Sequence, residues 1–182
     1  MIQLLLVFSP IMGGPSKVPV DVVTLKPSKV EIPFVPNIST RERSSCGSEC
    51  GHCVDDNTGH YACIDARMGP IIALFETRKY IGKTAHLLFT TGISPYRNPT
   101  RPPEYSTTEY QVHIDGRNSY SSSFRGCTGP SKVTVEFVIA SETTKVEWVN
   151  VSHQSDLDHN WLIIGTDDCN PNTIEATLEI HK

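Results

Sequence analysis

The 182-residue sequence lacks several things that would assign it quickly. No apolar run approaches the roughly 18 residues that a membrane-spanning helix needs, which argues against a membrane partner. No Lys or Arg precedes Lys17, and the apolar run from Ile2 to Phe8 is short and interrupted by Gln3. The opening stretch therefore misses the basic leader of a secretory signal and reads as a structured segment. There is no tract dense in Lys and Arg, and the net charge is −4, so nothing tracks a phosphate backbone and a nucleic-acid partner is not expected. No Ser stands in a Gly-x-Ser-x-Gly turn, the histidines are scattered, and the acidic pairs Asp55-Asp56 and Asp167-Asp168 fall in turn-like stretches. An enzyme is not expected. Finally, no segment sustains the 3.6-residue apolar period of an amphipathic helix.

Strand signals are abundant. Tyr110, Val112 and Ile114 alternate with Gln111, His113 and Asp115, and Asp115-Gly116 then offers a tight turn. Val133, Val135, Phe137 and Ile139 repeat the pattern, as do Ile174, Ala176, Leu178 and Ile180. Apolar clusters at 71–75 and 86–89 lean toward two buried strands. Trp148 is in phase with Val146, and Trp161 precedes three apolar residues, so both read as core. With 38% hydrophobic residues the chain can build one sizeable core, and the pattern predicts an all-β fold, an antiparallel β-sandwich or jelly roll, over 69–182. Residues 1–40 hold three β-prone pieces punctuated by prolines and read as an extended arm. Residues 41–68 are small, polar and cysteine-dense, and read as a stapled loop.

The six cysteines stand at 46, 50, 53, 63, 127 and 169. Cys50-x2-Cys53, with His52, His60 and Cys63 nearby, has the ligand types of a zinc site. Disulfides are favoured instead, because two sequons, Asn37-Ile38-Ser39 and Asn150-Val151-Ser152, point to an oxidising, extracellular or cell-surface setting. Cys127 and Cys169, each beside a strand, form the preferred staple across the sandwich. Three pairings stay open for Cys46, Cys50, Cys53 and Cys63.

Residues 145–168 carry a further pattern. A strand ends in Asn150, Asp156, Asp158 and Asn160 alternate in a turn, and the apolar strand from Trp161 follows. Oxygen ligands so spaced suit calcium. This order resembles the calcium-dependent xylan-binding modules, small β-sandwiches that grip sugar hydroxyls through a bound ion; Val151 stands where those modules carry Asp. The resemblance implies calcium near Asp156, Asp158 and Asn160 and a glycan ligand. A glycan on Asn150 and a metal bond from its amide exclude each other. Tyr96 and Tyr105, in the proline-rich stretch 92–108, are the aromatic candidates for stacking on a sugar.

The arm suggests a different function. A β-prone extension must pair its backbone groups, either with its own sheet or with a neighbour's. By architectural analogy with pilin subunits, Ile2, Leu4, Leu6 and Phe8, or Val18, Val20, Val22 and Leu25, would insert into the next copy and build a head-to-tail filament. Two readings follow: a glycosylated extracellular filament subunit, the main one, and a secreted calcium-dependent carbohydrate-binding module.

Overall fold

The computed structural model of the protein describes residues 21–32, 60–64, 66, 68–94, 107–125, 128–152, 161–166 and 174–181. Eleven strands run in the order β1 (Val22–Leu25), β2 (Lys29–Glu31), β3 (His60–Ile64), β4 (Ile71–Glu76), β5 (Thr84–Ser94), β6 (Thr107–Ile114), β7 (Arg117–Arg125), β8 (Thr128–Val138), β9 (Thr143–Asn150), β10 (Trp161–Thr166) and β11 (Ala176–His181). A 3-10 turn, Arg78–Tyr80, links β4 to β5. All strand pairs are antiparallel.

The first sheet is built around β5. One edge of β5 pairs with β8 along most of its length. The other edge pairs with β11 over its first half and β10 over its second. β10 and β11 thus act as two halves of one strand, joined at the break by a 2.7 Å hydrogen bond from Glu175 N to Gly165 O. β1 then flanks β11, and β3 flanks β10. The second sheet has the order β2-β4-β9-β6-β7. Pro130 lies in β8, which is an edge strand among the described residues and so tolerates a missing amide donor.

Alternation decides what each sheet buries. From the first sheet Leu87, Phe89, Leu162 and Leu178 turn inward, and from the second Ile71, Phe75, Val112 and Trp148 do so, all within one core cluster. Phe89 and Trp148 meet across the sheets as a T-shaped pair with centroids 5.6 Å apart. The alternation read in 110–114, 133–139 and 174–180 holds, and the structure is an antiparallel β-sandwich. Asp115 (φ 49°) and Gly116 (φ 77°) close the β6–β7 hairpin as a two-residue turn with both central residues left-handed. The Asp115 carboxylate also accepts from Lys145 N (2.8 Å) and Ser141 Oγ (2.7 Å), tying this turn to β9.

The arm behaves differently from the expectation of donation to another copy. Val22 pairs with His181 and Leu25 with Leu178 of the same chain, and Val30 pairs with Ala73. Residues 22–31 pass from one sheet to the other, satisfying their own backbone groups at home. The pairing gives Val22 and Leu25 partners in the chain's own sheets, and nothing among the described residues supports filament assembly. Ile2, Leu4, Leu6, Phe8, Val18 and Val20 lie outside the described residues. β3 falls inside the stretch expected to be a stapled loop, yet it is a full partner of β10. The sandwich draws on strands well before residue 69.

Candidate functional site

Two regions bear on function. The first is one end of the sandwich, where several strand ends meet. Ser94, at the end of β5, pairs with Trp161, at the start of β10. Asn150, ending β9, pairs with Tyr110 of β6. The segments that follow Ser94 and precede Trp161 are therefore rooted side by side. They contain Tyr96 and Tyr105 in one case and Asp156, Asp158 and Asn160 in the other; these five residues lie outside the described residues, as do Asn37, Cys46, Cys50, Cys53, Cys127 and Cys169. Cys63 stands opposite Ile163 in the β3–β10 pairing.

Asn150 is 5% exposed, and its side chain is fully committed to the fold. Its Nδ2 donates to the Ile64 carbonyl at 3.0 Å, linking the two sheets. Its Oδ1 accepts from Ser152 N (3.0 Å) and Ser152 Oγ (2.6 Å), and Ser152 Oγ accepts from Glu109 N at 2.9 Å. The nitrogen that the sequon reading would load with a glycan is thus buried and hydrogen-bonded in this structure. The same bonds take Asn150 out of a metal's ligand set. Its oxygen already serves two donors. Among the described residues no group of three or more His, Cys, Asp or Glu is arranged to hold a metal ion.

The second region is a groove of 430 Å³ on the outer face of the first sheet. Register explains its composition. Thr90 of β5 stands between Lys132 of β8 and Glu175, just before β11, and Leu88 stands between Thr134 and Thr177. Lys26, after β1, completes the rim beside Thr177 and is already engaged in an interaction of its own. The groove therefore has an aliphatic floor at Leu88, three hydroxyls around it, two ammonium groups, Lys26 and Lys132, and one carboxylate, Glu175. Among the described residues Lys132, Glu175, Thr90, Thr134 and Thr177 make no side-chain hydrogen bond or ion pair. Two residues before Leu88 on β5, the same face becomes self-paired: His86 Nε2 lies 3.1 Å from Glu136 Oε2, and the His86 and His181 rings meet edge to face at 5.2 Å.

Sequence reasoning missed this groove. Each of its threonines is an unremarkable outward position within an alternating strand, and only the cross-strand register brings them together.

No family model and no curated protein matches the chain. Among solved structures it is similar to a family 36 carbohydrate-binding module in complex with calcium and xylotriose (14% identity, 67% of this chain and 79% of that one, TM-score 0.38). It is also similar to a family 51 module from Clostridium perfringens in complex with methyl-galactose (12% identity, 87% and 99%, TM-score 0.41). A family 35 module from an environmental isolate shows 11% identity over 85% of this chain and 90% of that one, with a TM-score of 0.40. The likeness is one of broad architecture.

Proposed function

We propose that the protein is a non-catalytic, extracellular carbohydrate-binding module that takes a sugar unit in the groove on its first sheet. The observation that carries this reading is the groove itself. Its volume of 430 Å³ falls in the range of small-ligand clefts, roughly 300–1,000 Å³. A sugar presents hydroxyls that both donate and accept, around a ring with apolar C–H patches. Lys132 offers donors, Glu175 offers acceptors, the threonines offer both, and Leu88 offers an apolar surface. Among the described residues Lys132, Glu175 and the three threonines make no side-chain hydrogen bond or ion pair that a ligand would have to displace.

The test is titration calorimetry with the methyl glycosides of xylose, galactose, glucose and mannose, against the native protein and Thr134→Trp. Binding by the native chain and its loss in Thr134→Trp support the groove. Binding that survives an indole placed in the groove would overturn it. Calcium enters as a second determinant, with Asp156, Asp158 and Asn160, which precede β10 in the sequence, as its ligands. Repeating the titration with EDTA separates the two places. Groove binding persists on chelation, whereas loss of all binding assigns recognition to the strand end.

A further inference from the structure

The groove contains a residue whose position is set by an absence. Gly165 of β10 is buried on the outer side of the sheet, and what covers it is Glu175. A Cβ added at Gly165 would lie 3.0 Å from Glu175 Oε2 and 3.3 Å from Thr90 Cβ. Glu175 N is meanwhile fixed to Gly165 O at 2.7 Å. Backbone anchoring and the missing methyl group together let the carboxylate lie over the glycine beside Thr90, at the wall of the groove. Across Thr90 stands Lys132, of opposite charge. With Lys26 on the rim, the lining has two ammonium groups and a single carboxylate set among hydroxyls, so Glu175 is the one charged acceptor it offers to a ligand that brings hydroxyl donors.

We infer that Glu175 is the specificity-determining acceptor of the groove: it receives hydrogen bonds from two adjacent hydroxyls of a neutral sugar, and Gly165 is the positioning residue that makes room for it. The inference rests on the carbohydrate-binding reading above. A carboxylate has two oxygens, accepts only, and forms charge-assisted bonds stronger than neutral ones. Neighbouring sugar hydroxyls present two donors at a spacing that one carboxylate can receive. Glu175→Gln keeps the shape but replaces one acceptor with a donor. Gly165→Ala keeps the charge but pushes the flexible carboxylate aside, since the Thr90 Cβ on the other side cannot yield.

The experiment uses the full chain and the same four methyl glycosides, each with its fully O-methylated counterpart. The native protein binds at least one free glycoside, and O-methylation of that sugar abolishes binding. Glu175→Gln weakens binding of the free sugar by about tenfold or more, the size expected for losing hydrogen bonds to a charged group. Gly165→Ala weakens it comparably, but adds no further loss in a Glu175→Ala background, because the two act through one contact. Thermal denaturation of each variant shows that it is folded. If the native protein binds none of the glycosides, the carbohydrate-binding reading itself falls. If it binds them but Glu175→Gln or O-methylation changes affinity less than about threefold, the groove binds sugar and this inference is wrong. If Gly165→Ala weakens the Glu175→Ala variant further, its effect does not pass through the carboxylate, and the positioning role is overturned.

Discussion

The outer faces of the two sheets are built from the same alternation yet are chemically opposite. On the second sheet several of the polar residues are paired with one another. Lys29 bonds Glu31 at 2.5 Å and holds its carboxyl below the ordinary value, Lys145 meets Glu147 at 2.7 Å, and His113 meets Gln111 at 2.9 Å. On the first sheet the polar side chains around Leu88 have, Lys26 apart, no partner among the described residues. A face that has satisfied itself has little to offer a ligand. A face with donors and acceptors held apart by register across three strands does, and this difference, more than any single residue, places the candidate site on the first sheet.

The largest effect should come from what the two faces share. Trp148→Ala empties the interior beneath both sheets and should cost about 3–5 kcal/mol, read by chemical denaturation, with both faces lost in one transition. Next is the link between them. Asn150→Ala leaves the Ile64 carbonyl and Ser152 amide without partners and should cost about 2 kcal/mol or more. Intact mass should find no glycan on that residue in the folded protein. A titration distinguishes the second sheet from within. Burial, with Tyr120 beside it, pushes the Tyr110 phenol well above its ordinary value. The folded state then holds that proton more tightly than the unfolded chain does. Its contribution is complete below about pH 10, the unfolded value, and declines as pH rises further. Tyr110→Phe should flatten that alkaline limb in pH-dependent melting. The smallest effects belong to the surfaces. Lys145→Ala should change stability by about 0–1 kcal/mol and leave glycoside binding intact. Lys132→Ala should also stay within about 0.5 kcal/mol of the native stability while weakening glycoside binding. A binding loss from the Lys145 change would erase the contrast between the faces.

Much of the fold could be read from alternation, because a strand buried on one side repeats every two residues whatever its partners. Val133, Val135 and Ile139, and Tyr110, Val112 and Ile114, announce their inward faces without knowledge of the sheet. The Asp115-Gly116 turn likewise needs only its own two residues. What escaped was set by pairing between distant segments. Val22 and Leu25 have the same pattern whether they meet His181 and Leu178 of their own chain or a neighbour's sheet, so the sequence alone could not tell the two apart. β3 is only five residues long and sits among cysteines and glycines, where local composition overrode its strand signal. Asn150 satisfies a sequon by three letters, but its burial depends on Ile64 from a remote strand. The groove, assembled from positions 26, 88, 90, 132, 134, 175 and 177, has no local signature at all.

The division of one strand into β10 and β11 has a consequence for the groove. The chain departs after Thr166 and is back in register along β5 by Ala176, with its exit and return points stitched together by Glu175 and Gly165. The register of each half is set by its own pairing with β5, and this one bond holds the two halves together where they meet. Because Glu175 also walls the groove, a change that loosens this junction would alter the groove while the pairing of both halves with β5 stays the same.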